Sequence, residues 1–489
     1  MSEIAEVRSP PRVQASTRAL GYALAVLPLA LVLVLRAGVA DLDRDGQATQ
    51  ALYLLDAYAH GNWVLPQAHG TEPSPIPPLH VWLGLICSAI LGGVSETSCR
   101  APSILAAFLL TLLVFRIGLE RWSLEAGLVA AWLLTASHCV LRAATSARPD
   151  MLLCLLATLA LWALQRAELG RARGRASLFW PAVSLCLLSA GPLTAALLVV
   201  AALLICASAE RRPSVMAMLA SRWSLCLALP AVWGGLAYGV GGSPFVTEVA
   251  LAGVWGRGPT GSAAYDALSR GWIGVFPWLV LGALVLTHLR CDATRSRRVA
   301  LVLRGVVFAA CVVAGSLVGA ELPLPLWPPA SLASAGLLLG GRRGETHTRG
   351  PAFALGVAAV ALCLAFSVWR GPAVGASGAA GLRAFARRAL EERRPGEQIR
   401  IREGVRSSFF FYMGQNDPPL TLREVEAYDR CSSGTGRSLL ISHASDVEAL
   451  DRRWPGRFRH LMDGASRAQV GGLVLVEDTA SSRLPAQTR

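Results

Sequence analysis

The sequence predicts an α-helical polytopic membrane protein of about eleven transmembrane helices (range about 11–13) ending in a small soluble α/β domain. Three observations carry this. Of 489 residues, 53% are hydrophobic and only 16% are charged, against roughly 25% charged in an ordinary soluble protein. Uncharged runs approaching the length of a bilayer crossing recur along the first 370 positions. The remaining charge is lopsided: 46 basic residues face 32 acidic ones, for a net charge of +14, and every basic residue is arginine. Such a composition excludes collagen, a disordered chain and a small disulfide scaffold. The absence of lysine excludes Schiff-base chemistry and a phosphate-loop lysine.

A crossing needs about 20 mostly apolar residues. Uncharged runs near that length lie at 19–35, 101–115, 126–141, 151–164, 176–209, 223–247, 271–287, 305–320, 322–341 and 350–369. The run at 176–209 has 34 residues, about 51 Å as a helix and too long for one crossing. Gly191-Pro192 in its middle divides it into 176–190 and 193–209, because proline interrupts the helical ladder. No cleavable signal peptide is expected; the first run reads as a span.

A further apolar run, 79–95, is placed by arginine bias, since cytoplasmic loops are enriched in positive charge. If 79–95 does not cross, the loops on the N-terminal side hold 17 arginines and those on the other side hold 7. If it crosses, the arginine-rich loops become external. The run therefore reads as interfacial or re-entrant. The N-terminus (1–18) is then cytoplasmic, 19–370 is the membrane domain, 36–100 is its first external loop, and 371–489 is an extracytoplasmic domain. The arginines mark topology, with no nucleic-acid partner implied.

The tail changes character. Ala379–Arg394 is an amphipathic helix candidate, Glu397–Glu403 alternates with Ile399 and Ile401 inward, Ser438–Ser442 and Leu473–Glu477 read as strands, and Ser445–Trp454 as a helix. Most of the 11 cysteines fall inside spans, where they act as small apolar residues. Cys87, Cys99 and Cys431 face the exterior in this topology. No His or Cys spacing resembles a zinc site.

The first external loop opens with Asp41-Leu42-Asp43-Arg44-Asp45. Carboxylates two apart share a face of an extended segment, and four apart a face of a helix. Such a cluster at a membrane surface suits activation of a hydroxyl, and a divalent cation is a possible occupant that nothing else in the sequence supports. Then come Gly61-Asn62-Trp63-Val64-Leu65-Pro66, Pro77-Pro78-Leu79-His80-Val81-Trp82, Arg100-Ala101-Pro102-Ser103, Ala147-Arg148-Pro149-Asp150-Met151 and Ala190-Gly191-Pro192.

This ordered series resembles the GT-C membrane glycosyltransferases, specifically the group of protein O-mannosyltransferases, aminoarabinose (ArnT-like) lipid A transferases and RgtA/B/C/D-like domains. The resemblance covers about residues 20–200. It rests on a catalytic Asp in the first external loop, a G-D-W-like turn, a K-P-P-L-x-x-W segment, an R-x-P-S start to the second span and an R-x-D at an outer span end. It implies that Asp45 orients or deprotonates the acceptor hydroxyl attacking the sugar's anomeric carbon. A lipid phosphate is already a good leaving group, so one carboxylate can suffice where glycosidases use two. Arg100 and Arg148 are the candidates for the departing phosphate, because guanidinium forks pair with phosphate. The alternative for both is interfacial anchoring or an ion pair, such as Arg148 with Asp150. Asp43, Asp150, Trp63 and His80 complete the candidate substrate-binding set. His60, His69 and His80 also suit surface or packing roles, and Trp63 and Trp82 suit interfacial anchoring. The sequence departs from the family pattern at Gly46 (usually acidic), Ile76 (usually lysine) and Ala190 (often basic).

The leading functional reading is a bacterial inner-membrane glycosyltransferase. It moves a sugar from a polyprenyl-phosphate donor to a lipid, glycan or protein acceptor on the extracytoplasmic side. Such a donor needs no nucleotide site, and no P-loop or G-x-G-x-x-G motif precedes a helix. The alternative is a non-catalytic relative that binds polyprenyl lipid or a partner protein. A transporter predicts midplane ionisable residues and repeated halves, neither of which the spans contain.

Overall fold

The computed structural model describes residues 15–35, 42, 46–168, 178–191, 223–245, 376–394, 399–402, 405–415, 417, 438–453, 455–456, 458–463 and 473–478, with isolated positions within 195–203 and 328–361. The spans expected at 271–287, 305–320, 322–341 and 350–369 lie largely or wholly outside these residues, as does most of 193–209.

The chain opens with helix α1 (Ala15–Leu35), followed by α2 (Gln47–Ala59), a short antiparallel hairpin of β1 (Gln67–Ala68) and β2 (Glu72–Pro73), and α3 (Leu79–Leu91). Next come α4 (Glu96–Arg121), α5 (Leu124–Ala136), α6 (His138–Ala144), α7 (Asp150–Glu168), α8 (Phe179–Ala190) and α9 (Trp223–Pro244). Among the described residues, α4 is long and apolar enough to cross a membrane, with shorter apolar helices at Ala19–Leu33, Leu79–Leu91, Leu124–Ala136, Asp150–Leu164 and Phe179–Ser189.

Local chemistry sets these boundaries. Ser95 caps α4 in a capping box: its hydroxyl accepts from Ser98 N at 3.2 Å, and the Ser98 hydroxyl accepts from Ser95 N at 2.8 Å. Ser123 caps α5 more simply, its hydroxyl accepting from Ala126 N at 3.2 Å. With 13 residues, α3 is about 20 Å long, short of a hydrocarbon core of about 30 Å. The uncharged run 126–141 is not one helix. It breaks at Ser137, whose extended backbone (φ −64°, ψ 125°) separates α5 from α6. α8 stops at Ala190, where Gly191 turns to φ 87°.

The bundle core gathers Leu110 and Val114 of α4, Leu133 and Leu134 of α5, Leu141 of α6 and Met151 of α7, all buried. Helices α4 and α5 meet backbone to backbone. A Cβ on Gly118 would stand 2.6 Å from the Gly127 Cα, the close approach that small residues permit between membrane helices. Trp132 Nε1 donates to Leu24 O at 2.9 Å, tying α5 to α1. At the C-terminal ends of α4 and α7, Glu120 accepts from Arg116 Nε (2.6 Å) and from Arg166 Nη1 (2.8 Å). Arg116 also donates to the Tyr22 hydroxyl at 3.1 Å.

At the opposite end of α4 lies a four-stranded sheet of β3 (Ile399–Ile401), β4 (Ser438–His443), β5 (Phe458–Asp463) and β6 (Leu473–Asp478). Its order is β3-β4-β6-β5, parallel between β3 and β4 and antiparallel elsewhere. Side chains alternate across it as strand geometry requires. Leu439, Ile441, Leu473 and Leu475 face α10 (Ala376–Glu391) and α11 (Ser407–Met413), whereas Leu440, Val474 and Val476 cover α12 (Ala444–Arg453). The α10–α11 layer does not stop at the sheet. Phe385, Phe409 and Phe410 share one core with Leu52 and Leu54 of α2, Val81, Cys99 and Ala147.

Candidate functional site

The segment expected to carry the catalytic carboxylate, with Asp41, Asp43, Arg44 and Asp45, lies outside the described residues. Its C-terminal boundary is well defined. Gly46 adopts the left-handed conformation (φ 71°) and opens α2, a backbone setting that strains any side-chain-bearing residue. That geometry accounts for glycine where the family pattern has an acid. The next residue, Gln47, is buried, and its Oε1 accepts from Ala147 N at 3.2 Å. The start of α2 is thereby moored to the turn that carries Arg148.

This turn links α6 to α7 and is gripped from its other side. Ser103, one helical turn beyond Arg100 on α4, donates its hydroxyl to Arg148 O at 2.8 Å. With its proton so used, Ser103 Oγ accepts from His80 Nε2 at 3.4 Å, which fixes the tautomer. Both residues are buried, and burial pushes the His80 imidazole down to about 4, so it is neutral at physiological pH. Arg148 pairs with Asp150 (Nε–Oδ2 3.0 Å). Arg100, 11% exposed, faces Glu96 at 3.5 Å, and Glu96 also meets Arg383 of α10 at 2.8 Å.

Trp63 presents an exposed ring, but its backbone is held. Trp82 Nε1 donates to Trp63 O at 2.7 Å, and Trp233 Nε1 donates to the adjacent Val64 O at 2.9 Å. The same turn is anchored by Asp56, 2% exposed on α2. Its carboxylate accepts from Asn62 Nδ2 (3.1 Å), Gln67 N (2.8 Å) and His60 Nδ1 (2.9 Å). His69, with φ 51°, lies against the Phe410 ring (centroids 4.6 Å apart) and meets Ser407 Oγ at 3.2 Å. Burial lowers its imidazole below the ordinary value, and Glu72 partly offsets the shift.

The structure thus interlocks three of the motif segments, those around His80, Arg100 and Arg148, and moors Gln47 to them. Trp63 sits on the neighbouring turn that Trp82 holds. Sequence reasoning missed Gln47, Glu96 and Asp56 as organising residues. The signal for Asp56 is legible in hindsight: a lone acid in an apolar helix, followed four residues later by His60 and six later by Asn62. Among the described residues no cluster of three or more His, Cys, Asp or Glu is arranged to hold a metal ion. Cys87 and Cys99 are free thiols, and Cys431 lies outside the described residues.

A helical bundle with a sheet seated on one end is the architecture this chain shares with solved membrane proteins of the GT-C fold. The family of dolichyl-phosphate-mannose-protein mannosyltransferases matches residues 75–235. The whole chain is similar to ArnT from Cupriavidus metallidurans in the apo state, with 16% identity, a TM-score of 0.73, and 96% of this chain and 100% of that chain covered. The structure of the same protein bound to undecaprenyl phosphate gives 15% identity, a TM-score of 0.70, and coverage of 97% and 100%. The archaeal oligosaccharyltransferase AglB from Archaeoglobus fulgidus, in complex with an inhibitory peptide and a dolichol-phosphate, shares the fold more loosely. Its identity is 12% and its TM-score 0.55, with 90% of this chain and 69% of that one covered. No curated protein sequence is significantly similar to the chain.

Proposed function

We propose that this protein transfers a sugar from a polyprenyl-phosphate carrier to a lipid, glycan or protein acceptor on the extracytoplasmic side of a bacterial inner membrane. Asp45 is its catalytic carboxylate. The observation that carries this reading is the interlock of Gln47, His80, Ser103 and the Arg148 turn, because it ties the residue two positions beyond Asp45 in sequence to the turn that bears Arg148. The likeness to ArnT, which binds undecaprenyl phosphate, supports the donor class.

In the proposed reaction the acceptor oxygen bonds to the anomeric carbon and passes its proton to Asp45. The bond from that carbon to the carrier phosphate breaks, and its electron pair leaves with the phosphate. Arg100 and Arg148 stabilise the charge that develops there. Asp150 orients Arg148, and His80 holds Ser103 as part of the wall of the binding site. Asp43 and the exposed ring of Trp63 line the acceptor side. Residues 371–489 form the extracytoplasmic domain above the site.

Purified wild type and Asp45→Asn, assayed side by side with polyprenyl-phosphate sugars, test this. Donor-dependent transfer by wild type that is lost in the variant is expected; equal transfer by both overturns the role of Asp45. Ile76 and Gly46, where the family pattern has lysine and an acid, favour one other reading, a lipid-binding relative without turnover. Tight donor binding with no transfer by wild type establishes that reading instead.

A further inference from the structure

We propose that Tyr58, His60 and Trp63 form a subsite for a sugar of the acceptor, one helix length away from the reaction centre, so that the acceptor is an extended glycan. This rests on the reading of Asp45 as the catalytic carboxylate and adds the acceptor class to it. Three ring side chains stand exposed within the short stretch that ends α2 and begins the next turn: Tyr58 at 51%, His60 at 59% and Trp63 at 50%. Among the described residues, the Tyr58 hydroxyl, His60 Nε2 and Trp63 Nε1 have no hydrogen-bond partner. The backbone beneath them is fixed from three sides. The Asp56 carboxylate holds Asn62 and Gln67 N, Trp82 Nε1 holds Trp63 O, and Trp233 Nε1 holds Val64 O.

The chemistry of these groups selects a sugar. Asp56 accepts from His60 Nδ1 at 2.9 Å, which turns Nε2 outward as an acceptor, while the Trp63 N–H donates and the Tyr58 hydroxyl does either. Sugar hydroxyls both donate and accept, and the C–H face of a pyranose suits the electron-rich face of an indole or phenol ring. Rings already held in place lose little freedom on binding. A lipid interface also attracts Trp and Tyr, but the exposed neighbours here are Ala59, Gly61, Asn62 and the hairpin residues Gly70, Thr71 and Glu72, a small and polar surface with a carboxylate that hydrocarbon rejects. The spacing sets the size of the ligand. Helix α2 has 13 residues, about 20 Å, and runs from Gly46, next to Asp45, to His60. A single sugar unit does not fill the subsite and reach Asp45 at once; a chain of several units does.

The test titrates hexasaccharides of glucose, galactose and mannose into the full chain in nanodiscs by calorimetry. Wild type should bind at least one of them, and Trp63→Ala should weaken that binding roughly tenfold, the effect of about 1.4 kcal/mol. Trp63→Phe should retain most of it. The bond from Trp82 goes to the Trp63 backbone carbonyl, so these variants keep the turn, and an unchanged Tm verifies that. The proposal is overturned if no hexasaccharide binds wild type or if Trp63→Ala binds as wild type does. Loss of quenching by brominated lipids in Trp63→Phe, with hexasaccharide binding unchanged in Trp63→Ala, assigns the rings to the membrane interface instead. If the hexasaccharide binds as expected but wild type and Asp45→Asn transfer sugar equally, the reading of Asp45 fails and the subsite stands.

Discussion

Replacing Asp56 by alanine removes the carboxylate on which the Gly61–Pro66 turn and the first hairpin strand converge. Three donor groups lose their acceptor: the Asn62 amide at 3.1 Å, the Gln67 backbone N–H at 2.8 Å and the His60 ring at 2.9 Å. His60 is mostly exposed, so water replaces its partner at little cost. Asn62 is exposed too, which leaves the Gln67 N–H as the less accessible donor, and a buried unsatisfied donor costs about 1–3 kcal/mol. Relief of a buried charge offsets part of this. The net local cost is then about 1–2 kcal/mol, a factor of roughly 5–30 in the opening equilibrium of the turn. Hydrogen–deuterium exchange on peptides spanning 60–75 reads this directly. Asp56→Ala should lose protection by that factor, and Asp56→Asn, which keeps one acceptor oxygen, should lose less. Exchange within threefold of wild type in the alanine variant would refute the account of Asp56 as the anchor of the turn.

Three further outcomes are expected. Gly118→Ala drives a methyl to 2.6 Å from the Gly127 Cα, where backbone meets backbone, and should cost about 1–3 kcal/mol, visible as a lower Tm in detergent. Gly234→Ala, with nothing within 4 Å, is the neutral control. The folded His80 imidazole titrates near 4 against an ordinary 6.5, so its contribution is intact above pH 6.5 and is lost as pH falls toward 4, by about 3 kcal/mol. Tm measured from pH 7 to pH 4 should therefore fall further in wild type than in His80→Gln; parallel curves contradict this. Ser103→Ala frees the Arg148 carbonyl and should raise the KM for a polyprenyl-phosphate donor several-fold while changing kcat less. An unchanged KM separates the His80–Ser103 chain from donor binding.

What could be read in the sequence follows from where periodicity survives. Helices α4, α7 and α8 lie on the uncharged runs that predict them, because a lipid-facing helix is apolar on every side. The break at Ser137 left no trace, since serine is tolerated inside a membrane helix and no proline or glycine marks the site. Helix α2 stayed hidden for the opposite reason. It is packed between the bundle and α11, so Ala51, Leu52, Tyr53 and Leu54 are all buried and no polar face gives away its period. The strands β3, β4 and β6 alternate or run apolar and were legible. Strand β5 was not: a bulge between His460 and Met462 shifts its alternation midway. The motif residues were read as separate weak signals. Their joining depends on Ser103 bonding to a backbone carbonyl 45 residues away, a contact that residue identities do not announce.

The two indoles that hold the carbonyls of Trp63 and Val64 carry a consequence in time. Trp233 is 169 residues later in the chain than Val64, and at about 5–20 residues per second it is synthesised roughly 10–30 s afterwards. Ser407, which meets His69, trails it by 338 residues, roughly 20–70 s at the same rate. Until both have emerged, the Trp63–His69 stretch lacks these two contacts. A nascent chain that has already inserted its early helices therefore holds the Trp63–His69 stretch without its final contacts, which are complete only once Ser407 has been made.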